Sequence, residues 1–380
     1  MIKDKRIKEY KYLTQLKEYL LKAEKKYLSN DKKFFVYPKQ LEIHLPSDRQ
    51  KNCNLACSHC FGTKYKKELG KWETEGLNLL HNLKGAIPYH IYGGAYTEPT
   101  MSPFLFSFLS ATKKYNNHFG LHTNGTKLKE LEKNINFFKN LNEISTDEID
   151  YISISLDAGK GVSWSSLKKK DSSYFWDILY SIEKMANLKA KTNDKSHAIR
   201  MVYLASDITS SKEELEFISS FAKNMGINSL RFSVPYDFYN KSFKEVKKYK
   251  EEIEDKLSVK IEKYLKNIVS EKEDEKPYIF WNPPYFTDIN RFDFEKCYYG
   301  FFQITLGADG YIYPCSAVAA PTAKHLRKGK ITSNIEEFNK QCWEIQNNKV
   351  NPKKDCFLRG LRGNRMALEI NEYYNKKDQK

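Results

Sequence analysis

Between residues 41 and 234, short runs of β-branched and aromatic residues alternate with longer stretches whose apolar residues recur every three or four positions, and this alternation restricts the possible folds. Such runs read as strands separated by amphipathic helices. The expected strands are Leu41–His44, Pro88–Tyr92, Phe119–His122, Tyr151–Leu156, Ala198–Leu204 and Ser229–Val234. Met101–Tyr115, Leu128–Leu141, Tyr174–Leu188 and Lys212–Met225 read as helices, the last closed by Gly226 at a C-cap. Six units of this kind predict an α/β fold, a partial (β/α)6 TIM-like barrel short of eightfold closure. In parallel barrels the reactive groups gather where strands end. The cysteines at 53–60, Gly93–Gly94, Thr123–Asn124–Gly125 and Asp157 each follow a strand, so they are expected on one face.

At 380 residues the chain is long enough for a large core and a smaller satellite, and 40% hydrophobic with 14% aromatic residues argues against disorder. Residues 1–40 read as a basic helical extension and 41–240 as the barrel core. In 241–285, apolar residues recur from Phe243 through Val246, Tyr249, Ile253, Leu257, Ile261 and Leu265 to Ile268, which predicts one long amphipathic helix packed on an edge of the barrel. Pro277, Pro283 and Pro284 then mark a boundary before a last domain, 286–380. No run of eighteen apolar residues and no signal-like segment occurs, so a cytoplasmic, non-membrane protein is expected. The net charge of +16 is spread over helix surfaces mixed with Glu, as in Lys244–Lys276; it fits solvated surface better than a focused patch.

Three of the seven cysteines fall within Cys53-Asn-Leu-Ala-Cys57-Ser-His-Cys60. Soft thiolates select zinc, copper or iron–sulfur clusters. Zinc would need a fourth ligand, and the nearby His59 adjoins Cys60, which makes common chelation awkward; structural zinc also prefers paired CxxC knuckles. A four-iron cluster held by three cysteines keeps one iron open to another ligand, which is a catalytic feature.

This CxxxCxxC loop after a first strand, in a six-unit α/β chain, resembles the radical S-adenosylmethionine (SAM) superfamily. The resemblance implies a 4Fe-4S cluster on Cys53, Cys57 and Cys60, with SAM chelating the remaining iron and cleaved reductively to a 5′-deoxyadenosyl radical. The aromatic position before the last cysteine is held by His59, placed by resemblance near the adenine. The family's Gly-Gly-Glu-Pro, which holds the methionine amino group, reads here Gly93-Gly94-Ala-Tyr-Thr-Glu98-Pro99. Either Glu98 loops back to that role, or the backbone and Thr97 fill it. Thr123, Asn124 and Gly125 resemble the family's TNG turn, and Ile154-Ser155-Leu156-Asp157 its SLD segment, with Ser155 and Asp157 suited to ribose or carboxylate contacts. Arg200 matches a position that supports the SAM carboxylate; a strand-edge ion pair is the plainer alternative.

Further along, Cys297-x12-Gly310-x4-Cys315 places Asp309-Gly310 as a hairpin turn between alternating strands. This resembles the opening of the SPASM and twitch modules, and implies a small C-terminal α+β cluster-binding domain with one auxiliary iron–sulfur cluster of the 4Fe-4S type. Cys356 fits a later ligand of that module. Cys342, in the helical stretch Ile335–Ile345, reads equally as a ligand and as a buried small hydrophobe, and a third reading makes its thiol a hydrogen-atom donor in an epimerase-type reaction. Four thiolates would make the auxiliary cluster an electron relay, whereas three would leave an iron for substrate.

The resemblance implies an oxidoreductase-type enzyme acting on a ribosomally made precursor peptide, by crosslinking or epimerisation, with an external electron donor such as flavodoxin or ferredoxin. The positive charge would suit an acidic leader. The competing enzyme reading is a dehydrogenase or epimerase of a sugar or aminocyclitol. Outside catalysis, the alternative is an iron–sulfur electron carrier, which would need no six-strand barrel. RNA modification rests on charge alone and is not expected.

Overall fold

The computed structural model describes residues 37–47, 53–58, 60, 71–94, 96–192, 196–234, 255–272, 275–282, 297, 299–319 and 321–347. In chain order the elements are β1 (Gln40–Ile43), α1 (Glu73–Leu83), β2 (Tyr89–Tyr92), a short 3-10 turn (Pro99–Met101), α2 (Leu105–Lys114), β3 (His118–Thr123), α3 (Leu128–Ile135), α4 (Phe137–Ile144), β4 (Tyr151–Ser155), α5 (Gly161–Lys168) and α6 (Ser173–Thr192). They continue with β5 (Ala198–Leu204), α7 (Lys212–Asn224), β6 (Ser229–Ser233), α8 (Asp255–Leu265), β7 (Tyr278–Asn282), β8 (Gln303–Leu306), β9 (Ile312–Tyr313) and α9 (Ile335–Asn347).

All the strands join one sheet in the order β7-β6-β5-β4-β3-β2-β1-β8-β9. Every neighbouring pair from β7 to β8 is parallel, and only β8–β9 is antiparallel. The strand period of two sorts the side chains. Leu41, Ile43, Phe119, Leu121, Ile152, Ile154, Met201, Leu230 and Phe232 pack in one core with Leu79, Leu80, Phe108, Leu109, Ile178 and Ile218 from the helices. The opposite, inner face carries Glu42, His44, His122, Tyr151, Ser153, Arg200 and Arg231, and Gly120 is a glycine there because a Cβ would overlap the Tyr151 ring.

The six expected strands appear within a residue or two of their predicted ends. Three differences correct the sequence reading. The helix expected over Leu128–Leu141 is two helices, because Asn136 sits in the left-handed region at φ 49°, which Asn tolerates better than most residues. The stretch read as a proline-marked linker contains β7, which pairs in parallel with β6; Pro277 precedes the strand and interrupts none of its ladder. The hairpin expected at Asp309–Gly310 is present, with Gly310 at φ 85°, but β8 pairs in parallel with β1 and so continues the main sheet. Phe338, Cys342 and Ile345 of α9 enter the same core. Of the long amphipathic helix, α8 is described, and Leu257, Ile261 and Leu265 face the core as expected. The N-terminal extension, 1–36 of the expected 1–40, lies outside the described residues. No helix among the described residues is long and apolar enough to cross a membrane.

Candidate functional site at the strand ends

The cysteine loop is fastened on two sides. Ala56 N donates to Lys168 O at 3.2 Å and Ser58 N to Leu167 O at 3.0 Å, which caps carbonyls at the C-terminal end of α5 that lack helical partners. On the other side, Asn124 Nδ2 donates to Asn54 Oδ1 at 3.1 Å and lies 3.5 Å from Cys53 Sγ, while Asn54 Nδ2 donates to Thr126 Oγ1 at 2.8 Å. Thr126 in turn donates through its N and Oγ1 to Asn124 Oδ1. The turn after β3 therefore braces the loop that follows β1.

Cys53, Cys57 and Cys60 are half-buried and none forms a disulfide. Burial pushes the Cys53 thiol up to about 12, with the Glu98 carboxylate and the Cys57 and Cys60 sulfurs adding to the shift. Burial also raises Cys57, against the Lys168 ammonium, which lowers it. The Cys60 sulfur acts on both of the others, so the three share one electrostatic neighbourhood, and burial disfavours the thiolate at Cys53 and Cys57 until a cation binds. That donor set fits a metal or iron–sulfur group. Among the described residues, the group of three whose ligand atoms all lie within 4.8 Å of one another is a different one, His118, Asp147 and Asp150, at the opposite ends of β3 and β4.

Glu98 is buried and fully engaged. Its Oε1 accepts from Thr100 N, Thr100 Oγ1 and Thr123 Oγ1, and its Oε2 accepts from Asn124 N at 2.7 Å. Burial raises its pKa despite these bonds. The carboxylate therefore clamps the segment after β2 to the TNG turn. Gly94 has φ 148°, and a Cβ there would overlap Thr97 Oγ1, whose hydroxyl donates to Gly93 O at 3.1 Å. Only glycine allows this turn.

Asp157 is also occupied: Oδ1 accepts from Leu204 N at 2.9 Å and Oδ2 pairs with the buried Lys168 ammonium. Burial would lower the Lys168 pKa, but Asp157, Cys57 and Cys53 outweigh it and raise it. Asp157 therefore orients the β4 and β5 ends and Lys168 beside the sulfurs. Ser155 ends β4 half-buried on the inner face. Arg200 lies mid-strand, its guanidinium 3.8 Å from the centre of the Tyr151 ring, and no ion pair at a strand edge is formed among the described residues.

Cys297 and Cys315 come together in a small cluster with Val318, Leu326 and Tyr299. Cys342 does not join them; it is fully buried in the main core with Phe338 and Ile345, and burial holds its thiol well above its ordinary pKa. His59 and Cys356 lie outside the described residues.

Sequence reasoning missed Asn54, Thr126, Lys168, Glu42, His44 and Arg231. Asn54 and Thr126 adjoin motif residues, and Glu42, His44 and Arg231 interrupt apolar strands with charge on one parity, so a signal was present. Lys168 is one of three consecutive lysines and carried none.

The chain matches no protein-family model. No curated protein matches it. Solved structures of SuiB from Streptococcus suis share its fold. With S-adenosylmethionine bound, SuiB is 13% identical with a TM-score of 0.55, over 84% of this chain and 68% of SuiB. With the precursor peptide SuiA bound, it is 14% identical with a TM-score of 0.57, over 88% of this chain and 70% of SuiB.

Proposed function

We propose that this chain is a radical SAM enzyme that modifies a peptide. The observation that carries this reading is the loop of Cys53, Cys57 and Cys60, free of disulfides and braced by Asn124 and by the end of α5 at the C-terminal edge of a parallel sheet. A non-catalytic iron–sulfur carrier would need none of the loops that crowd around it. The fold shared with SAM-bound SuiB adds support.

In this reading Cys53, Cys57 and Cys60 hold a 4Fe-4S cluster. When bound, cluster and SAM together supply reductive cleavage of the sulfonium and a carbon radical that takes a hydrogen atom from the substrate. The chain's own residues position and shield. The Gly93–Gly94 backbone, freed of side chains, lets a ligand approach, and Glu98 fixes that backbone through Thr123 and Asn124 instead of reaching the ligand itself. Ser155 faces the inner side for a ribose contact. Lys168, held by Asp157, keeps a positive charge beside the cysteine sulfurs.

Cys297 and Cys315 are assigned to an auxiliary cluster, with Cys356 as a further ligand, and the burial of Cys342 beside Phe338 and Ile345 supports reading it as a packing residue. A peptide substrate is supported by the likeness to SuiB with its bound precursor peptide and by the net charge of +16, which suits an acidic leader.

The test is anaerobic reconstitution with iron and sulfide, followed by dithionite and SAM. The parent protein is expected to release 5′-deoxyadenosine. Cys57→Ser is expected to release none and to bind less iron. A parent protein that holds iron yet releases no 5′-deoxyadenosine refutes the proposal.

A further inference from the structure

We infer that Arg200 and Arg231 form an anion seat on the inner face of the sheet, which receives a carboxylate carried by the substrate. This names a substrate feature, and it rests on the enzymatic reading above.

The two arginines are neighbours by register. Arg200 on β5 pairs with Ser153 and Ser229, and Arg231 on β6 pairs with Val202, so they stand diagonally on adjacent strands of the same face. Arg200 stacks its guanidinium on the Tyr151 ring, 3.8 Å from the ring centre. Stacking uses the flat face of the guanidinium and leaves its in-plane N–H fork open. Arg231 Nε is buried without a hydrogen-bond partner, and among the described residues neither guanidinium meets a carboxylate.

Negative charge nearby is already committed. Glu42 shares this face, but its Oε1 lies 3.0 Å from His44 Nε2 and its Oε2 accepts from Gln303 Nε2 at 2.6 Å. His122, bonded at 2.9 Å to the Tyr151 hydroxyl, is held neutral near neutral pH, with a pKa of about 4; burial is the main cause and both arginines add to it. Glu148, the other carboxylate that acts on Arg200, is bonded to Lys276 at 3.1 Å, so among the described residues the two guanidiniums are left without a bonded carboxylate. A half-buried cation without a counter-charge is costly, and an incoming oxyanion relieves it. A carboxylate presents two coplanar oxygens to the in-plane N–H fork of a guanidinium, the bidentate geometry that such a seat favours.

Two carboxylates could reach the seat, that of the substrate and that of SAM itself. Depth favours the substrate. Leu204, whose N–H meets Asp157 at the loop face, lies four residues beyond Arg200, or about 13 Å along the strand at roughly 3.3 Å per residue. The loops proposed to hold SAM all follow strand ends, whereas the seat lies mid-strand.

The experiment is calorimetric titration of the reconstituted full-length protein with glutarate and with its neutral analogue glutaramide, at constant ionic strength, with and without SAM. Glutarate is expected to bind at one saturable site, and glutaramide about tenfold or more weaker. Arg200→Gln and Arg231→Gln are each expected to weaken glutarate by a similar factor, with SAM leaving its affinity unchanged. Equal binding of the two probes, or equal glutarate binding by parent and both variants, overturns the proposal. Competition by SAM overturns it in favour of the cofactor's carboxylate. Arg231→Gln also removes a repelling charge, so its urea midpoint is expected at or above the parent's; a lower midpoint reveals a structural partner and overturns the seat. Glutarate binding does not depend on 5′-deoxyadenosine release, so failure of the enzymatic reading registers separately.

Discussion

At the residue scale, the site is built on buried charge held by specific partners. Lys168 and Asp157 are 3% and 1% exposed and pair with each other. Removing one partner leaves the other charge uncompensated out of water, a change that typically costs about 3–5 kcal/mol. Lys168→Met is therefore expected to lower unfolding stability in urea by roughly that amount. The double variant with Asp157→Asn is expected to recover much of the loss; a single variant as stable as the parent would show that the pair contributes nothing. The motif residues Cys53, Cys57, Cys60, Gly94 and Asn124 were legible because chemistry or backbone geometry demands their types. Glu98 and Asp157 stood out in the sequence, but the protein N–H and O–H groups that occupy their oxygens did not, because those partners sit on loops distant in sequence.

At the scale of elements, β2 is held to α2 by polar groups buried on its helix-facing side. His90 Nδ1 lies 2.8 Å from Thr112 Oγ1, and the Tyr92 hydroxyl donates to Phe108 O at 2.9 Å. Burial holds His90 down to about 3, against an ordinary 6.5. Between those values the unfolded chain binds a proton that the folded chain does not, so stability falls as pH drops below about 6.5, by up to about 1.4 kcal/mol per pH unit for this residue. His90→Gln is expected to make the acid decline shallower by about that slope, read from urea midpoints at pH 7 and pH 5. An unchanged decline would show that His90 is protonated in the folded protein. Element types were readable from period, whereas element breaks were not: the turn at Asn136 interrupts an unbroken helical pattern, and Pro277 sits at the edge of β7 instead of ending the sheet.

For the whole molecule, the parallel pairing of β8 with β1 makes the last hairpin part of the main sheet. Phe338 of α9 is completely buried in the common core. Phe338→Ala is expected to cost about 3–5 kcal/mol, as for other buried aromatic truncations. The loss should appear in one transition, with far-UV circular dichroism and tryptophan fluorescence coinciding. A separate early transition would show that the segment after 286 unfolds as its own domain.

The sequence by itself determined the α/β class, six of the strands, the hairpin at Gly310 and the gathering of the three-cysteine loop with the glycine, TNG and Asp157 turns at strand ends, because side-chain period and turn chemistry are local properties. Only the tertiary structure decided that the last hairpin extends the sheet at β1, that Cys342 packs away from Cys297 and Cys315, and that Arg200 lies over Tyr151 and shares the inner face with Arg231. Those outcomes depend on which strands become neighbours, and strand neighbours are chosen by burial across hundreds of residues, which no local window of sequence contains.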